Sequence, residues 1–180
     1  MDVGCGAGVT PAYLAQRHGC RVAGVDISEA MIERSHERAR REGVADRVEF
    51  RVADAHDLPF EDGLFDAVIT ESVTAFPEEK QKAVDEYARV TRPGAYVGLN
   101  ESTWLKVSPP PEMVAWASQD LGASVEPLTY AQWVGLLESA GLSDIIARIS
   151  DVNVRDESRG LLRRYGLGGM LRVVGRTASL

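Results

Sequence analysis

The opening of this chain limits its fold more than anything that follows. A strand end, Met1-Asp2-Val3, runs directly into three alternate glycines, Gly4, Gly6 and Gly8. Glycines in that position let the backbone turn tightly and let a ligand approach the main chain without meeting a Cβ. Thr10 and Pro11 then read as a helix start, a capping hydroxyl before proline at the first helical position, with the helix running to about Arg17 and stopped by Gly19. A strand that turns through glycines into a helix is the first half of a crossover unit, which belongs to a parallel sheet.

The next hundred residues repeat the unit. Residues 21–26 form a short apolar run ending in Asp26, and Ser28 caps a helix with Met31, Ile32, Ser35 and Ala39 along one face, ending near Gly43. Residues 48–52 alternate as a strand, 54–63 read as a polar loop, and 65–70 as a buried strand. Pro77 opens a helix with Glu78 and Glu79 in its first turn and Arg89 in its last. Arg92-Pro93-Gly94 reads as a turn, and 95–99 as the next strand. Strands alternating with helices predict a doubly wound α/β fold around a mostly parallel sheet, covered on both faces. Beyond Asn100 the pattern loosens. Residues 113–121 look helical, Thr129 to Gln132 spell a capping box for a helix with Trp133, Leu136, Leu137 and Ala140 on one face, and 145–149 read as a strand. The expectation is one domain over 1–180, with 1–100 the ligand-binding half and 101–180 the second half and tail.

With 44% apolar residues the chain can bury a sizeable core, and no apolar run is long enough to span a bilayer. Cys5 and Cys20 are too few for a disulfide scaffold and have no metal-ligand company, so both read as small buried side chains of a reduced, cytoplasmic protein, with no metal site. A net charge of −7 argues against a nucleic-acid partner. The last thirty residues run the other way, with six arginines against three acids. A solvated helix with one apolar face is the favoured reading of that tail, over a basic surface that meets acidic lipid.

Ligands of open parallel sheets bind beyond the carboxyl ends of the strands, and the unusual residues all fall there. Gly4, Gly6 and Gly8 follow the first strand. Asp26 ends the second and can accept two hydrogen bonds from a ribose diol. Asp54 follows the third, placed for the edge of a base, Glu71 the fourth and Glu101 the fifth. Singly, each reads equally well as a tight turn or a solvated acid. Together, in order, they describe a nucleoside pocket. The glycine spacing also excludes the dinucleotide fingerprint, because its sixth position is Val9, and there is no Walker lysine. The pocket therefore suits a nucleoside without phosphates.

At these residues the chain resembles class I methyltransferases dependent on S-adenosylmethionine (SAM). Asp2-Val3-Gly4-Cys5-Gly6-Ala7-Gly8 is similar to their first motif, Val25-Asp26-Ile27-Ser28 to their acidic second motif, and the stretch Ala53 to Phe60 to their adenine-binding motif. Phe65 to Ile69 and Arg89 to Ala95 resemble later motifs of the branch that includes quinone and sterol methyltransferases. The resemblance implies a Rossmann-like methyltransferase fold and SAM as cofactor. Asp2, Gly4, Cys5 and Gly6 would meet the methionine part and Asp26 the ribose. Ile27 and Met31 would pack on the adenine, Asp54 and Ala55 would bond it, and Glu71 and Ser72 would lie near the sulfonium and the acceptor. The helical segment that the family carries before its first motif is absent from these 180 residues, which suggests a truncated chain and leaves a SAM-binding but catalytically impaired module as the alternative. A nicotinamide-dependent oxidoreductase is a weaker third reading.

The turn Glu71-Ser72-Val73 lacks the Asn/Asp-Pro-Pro-aromatic sequence of enzymes that methylate nucleobase or glutamine amino groups, and with the negative charge this points to a small organic acceptor. A general base is needed only if the acceptor loses a proton. Glu71 is the first candidate. His56 reads better as a loop residue beside the adenine, and Glu101 as a solvated acid. Trp104 is the one tryptophan placed to line an acceptor site, whereas Trp116 and Trp133 read as core. Acceptor identity and oligomeric state are not legible.

Overall fold

The computed structural model describes residues 1–103 and 128–150, with the single positions 111 and 115 between them. Trp104, Trp116, the stretch 113–121 and the arginine-rich tail lie outside the described residues. The chain falls into two compact units, 1–145 and 146–180, and the first carries the elements that follow.

Five strands, β1 (Asp2–Val3), β2 (Val22–Asp26), β3 (Val48–Val52), β4 (Phe65–Glu71) and β5 (Thr91–Asn100), form one sheet in the order β3-β2-β1-β4-β5. Every pairing is parallel. The central strand is only two residues long, yet it is held on both sides, Asp2 pairing with Gly24 and Ile69, and Val3 with Val25 and Thr70. The order reverses at β1, which places the glycine loop at the switch point.

Helices α1 (Val9–His18) and α2 (Glu29–Arg41) cover one face, and α3 (Lys80–Val90) and α4 (Tyr130–Ser139) the other. Cys5, Ala12, Ala15, Ile32, Ala39, Val44 and Phe50 pack together on the first face. On the second, Val3, Val25 and Val68 pack beneath Ala83, Val84, Tyr87 and Val90, with Leu136, Leu137 and Ala140 of α4 against them. Burying each such aliphatic side chain is worth roughly 1.5–3 kcal/mol, so the two clusters account for the sheet being covered on both sides.

Several local expectations are corrected. α1 starts from Gly8, whose left-handed backbone (φ 72) aims the chain straight into the helix, with Ala12 N donating to Gly8 O at 3.2 Å. Thr10 therefore caps nothing, and Pro11 sits inside the first turn, where its missing N–H costs no bond. Ser28 does precede α2, but its hydroxyl makes no capping bond. α3 begins at Lys80, so Glu78 and Glu79 precede its first turn. Arg92-Pro93-Gly94 is not a turn outside the sheet but a bulge within β5: Phe65 pairs with Thr91, then Ala67 with Tyr96. Pro93 has no N–H to give the ladder and Gly94 adopts φ 79, so the irregularity collects there. Residues 145–149 form no strand, and Ile146 is 86% exposed. The capping box at Thr129 and Gln132 is present, and Trp133 is buried.

Gly8 gives the first test. Its φ of 72 strains any L side chain, and a Cβ there would meet Ser35 Cβ at 2.8 Å. Gly8→Ala is expected to cost about 2–4 kcal/mol, read as a lowered urea midpoint with an unchanged m-value. A wild-type midpoint would contradict this packing.

Candidate binding site at the strand ends

Because all the strands are parallel, their carboxyl ends share one edge, and each expected site residue stands along it. The three loop glycines have positive φ (70, 51 and 72) but different surroundings. A Cβ on Gly4 would lie 2.1 Å from Val73 Cγ2, and one on Gly8 would meet Ser35 and Phe50. A Cβ on Gly6 would have no described atom within 4 Å. The outer glycines thus make room for the protein, and the middle one keeps a cradle open beside the main chain.

Cys5, between them, donates its N–H to Val25 O at 2.9 Å. Its thiol is buried, and burial, reinforced by Asp2 and Asp26, pushes its pKa up to about 12. It is a packing residue, not a nucleophile. Cys20, expected to be buried, is exposed.

Asp26 is the tie between loop and sheet. Its Oδ2 accepts from Gly6 N and its Oδ1 from Ser28 N, both at 2.9 Å. Met31 N, a donor that a capping hydroxyl would serve, bonds Ser28 O at 3.0 Å instead. Lone pairs remain on both Asp26 oxygens for a ligand. Ile27 beside it is 72% exposed, an apolar platform at the edge of the site, and Met31 on α2 is half-buried.

Asp54 is held by a residue that sequence reasoning left as a plain loop residue. Its Oδ1 accepts from the backbone N–H of His56 at 2.9 Å, and His56 Nδ1 lies 2.9 Å from the same oxygen. His56 Nε2 is buried with no partner among the described residues. The loop is pinned from α3. Leu58 N donates to Glu86 Oε2 at 2.7 Å, and Arg89 donates to Leu58 O, Phe60 O and Asp62 at 3.0, 2.8 and 2.7 Å. The Arg89 hydrogen bonds hold the Glu86 carboxyl below its ordinary pKa. Arg89, expected to complement the helix dipole, anchors the part of this loop that follows Asp54 and the half-buried Ala55.

Asp2 is 4% exposed and accepts no hydrogen bond among the described residues. Burial raises its pKa to about 7; the chain's terminal ammonium opposes this, and Glu71 and Asp26 add to it. Glu71 is exposed, with Oε1 taking a long bond (3.3 Å) from Asn100 Nδ2. Ser72 has a left-handed backbone (φ 56) and donates its N–H to Asn100 O at 2.9 Å. Strained non-glycine residues of this kind collect at functional sites. Glu101 is not the solvated acid expected: its Oε1 accepts from Val73 N at 3.0 Å and Thr74 N at 2.8 Å, and its Oε2 is buried.

The glycine loop, Asp2, Asp26 and Glu71 are therefore brought together, and none of the three carboxylates is ion-paired among the described residues. A site of this kind favours a cation and repels a diphosphate. No group of three His, Cys, Asp or Glu among the described residues could hold a metal ion. No described helix is long and apolar enough to cross a membrane.

Comparison with known proteins agrees with this geometry. The model of a family described as "Methyltransferase domain" matches residues 1–99. A probable chloroplastic tocopherol O-methyltransferase of Oryza sativa subsp. japonica is 39% identical over 128 residues, 71% of this chain and 32% of that protein. An uncharacterized protein of Haemophilus influenzae is 28% identical over 176 residues, 97% of this chain and 69% of that one. Among solved structures, a geranyl diphosphate methyltransferase in complex with SAM superposes with a TM-score of 0.69 at 27% identity, over 77% of this chain and 55% of that one. The chain spans about a third of the rice protein and about half of the solved one.

Asp2 predicts a pH dependence. Its folded pKa of about 7 lies above the usual carboxylate value, so between about pH 4 and 7 the folded chain binds more protons than the unfolded one. Stability contributed by the protonated form is lost as pH rises through that window and stays lost above it. Wild type is expected to lose about 2–3 kcal/mol between pH 5 and 8 relative to Asp2→Asn. Urea unfolding of both at four pH values checks this, and parallel curves would contradict it.

Proposed function

This chain belongs to the methyltransferase domain family, and from that premise we propose that it binds S-adenosylmethionine and passes the methyl group to a small organic acceptor. One observation carries the reading: three carboxylates with no ion pair among the described residues, Asp2, Asp26 and Glu71, surround a glycine loop whose middle residue leaves its Cβ space open. The cofactor bears a sulfonium and an ammonium and no phosphate, so it suits this charge. A nicotinamide dinucleotide would bring its diphosphate against the same acids, and Val9 stands where its third glycine belongs. The oxidoreductase reading fails on both counts.

The fit extends along the strand ends. Backbone groups of Gly4, Cys5 and Gly6 would line the methionine part, with Asp2 facing its cationic end. Asp26, already oriented by Gly6 N and Ser28 N, would accept from the ribose hydroxyls. Ile27 and Met31 offer the apolar surface for adenine, whose amino group would meet Asp54, fixed by His56, and the Ala55 backbone.

When bound, the cofactor supplies a methyl carbon activated by positive sulfur, open to in-line displacement by the acceptor's lone pair. The protein's part is to orient and to dehydrate. Glu71, exposed at the end of β4 and next to strained Ser72, is the carboxylate placed to take a proton where the acceptor must lose one. The tocopherol methyltransferase named above acts, by its name, on a hydroxyl of a small molecule. That supports a small-molecule acceptor here, and the complete row of site residues supports an enzyme over an impaired binding module.

Calorimetric titration with the demethylated product, S-adenosylhomocysteine, tests the reading. Wild type is expected to bind at micromolar concentration. Asp26→Ala, which removes charge-assisted acceptors, should bind at least about tenfold more weakly while still melting cooperatively. A folded wild type that shows no binding would sink the proposal.

A further inference from the structure

Glu101 follows β5, two strands over from β1 and its glycine loop, yet it controls what touches that loop. Its Oε1 accepts from two consecutive backbone donors of the β4–α3 turn, Val73 N at 3.0 Å and Thr74 N at 2.8 Å. A carboxylate receiving two main-chain N–H groups holds that main chain as a fixed unit. The turn leaves β4 through Ser72 in the left-handed region, a conformation that a serine does not keep without support from its surroundings. Asn100 O, the last carbonyl of β5, accepts from Ser72 N at 2.9 Å, so consecutive residues of one strand end grip the turn at three successive amides. The turn then presses Val73 onto Gly4, where a Cβ would lie 2.1 Å from Val73 Cγ2. Gly4 is the first residue of the loop that meets the ligand.

From this chain of contacts we infer that Glu101 is a positioning residue for the cofactor's methionine end. It clamps the β4–α3 turn so that Val73 sets the height of Gly4, and Glu71 and Ser72 are held at the end of β4, just past the Val3–Thr70 pair. This rests on the cofactor reading above. It assigns Glu101 no contact with the reacting atoms. Its effect passes through Val73 and Gly4.

The test uses the full chain with three variants, Glu101→Ala, Glu101→Gln and Val73→Ala, each titrated with S-adenosylhomocysteine at a temperature where all are folded, together with amide hydrogen exchange at Val73 and Thr74. Glu101→Ala is expected to weaken binding by about tenfold and to speed exchange at those two amides by at least about tenfold. Glu101→Gln keeps an acceptor oxygen and should recover binding to within about threefold. Val73→Ala should weaken binding while Thr74 stays protected, and it decides the matter alone if Glu101→Ala does not fold. A merely structural role would lower the melting temperature of Glu101→Ala and leave its affinity at wild type, which overturns the inference. So does unchanged exchange at Val73 and Thr74, whatever the ligand does. A wild type that binds no ligand overturns the cofactor reading, while the amide exchange still decides whether the clamp exists.

Discussion

The positive φ of Gly4 and Gly8, with no space for a Cβ at either, is the constraint on which the rest of the site depends. Val73 closes on the first from β4, and Ser35 and Phe50 close on the second from α2 and β3. Asp26 ties the loop between them to β2. Four of the five strands or their flanking elements thus fix a loop of five residues, and β5 joins them through Glu101 and the turn that carries Val73. A two-residue central strand is enough because its position is set by neighbours on both sides and by what leans on the loop after it. Only Gly6, inside this frame, is left facing open space.

The charge arrangement carries a cost that the fold tolerates. A buried carboxylate with no donor and two acidic neighbours is destabilising when ionised, which is why Asp2 holds its proton to about pH 7. By contrast, Glu86 is paired with Arg89 and accepts from Leu58 N, and Glu42 is paired with Arg38. The contrast is local and sharp. Sites that break a rule kept by the rest of a structure are where function is expected. An excess of negative charge that no described side chain offsets is also selective, since it lowers the energy of a cation and raises that of an anion at the same place.

The order of strands and helices was legible because burial imposes its period on the sequence, and β1 and the first four residues of β2 are buried. What was not legible was where the chain changes direction. Thr10-Pro11 and Pro77 carry strong local start signals, yet α1 begins at Val9 and α3 at Lys80, because the position of the strand before each helix decides where its first turn begins. Arg92-Pro93-Gly94 spells a turn in any local reading. It stays in the sheet as a bulge because residues on both sides of it pair with β4. Isoleucines at 145, 146 and 149 suit a strand by composition, but composition supplies no partner, and among the described residues they have none.

The site divides in the same way. Asp26, Asp54, Glu71 and Glu101 look alike in the sequence, each an acid at or just past a strand end. In three dimensions they differ by the donors that reach them. Asp26 takes two backbone amides and still faces the open loop, Asp54 takes one amide from a histidine two residues on, Glu71 takes a single long bond, and Glu101 takes two amides from another strand's turn. Local spacing can place an acid at the edge where ligands bind, because parallel strands bring all such positions to one side. It cannot say whether that acid will face the ligand or hold the wall, because the amides that decide lie 27 and 28 residues away along the chain for Glu101 and two for Asp54. The candidate most easily dismissed from sequence, an acid in a loosening stretch with no motif around it, is therefore the one whose role depends most on the fold being complete.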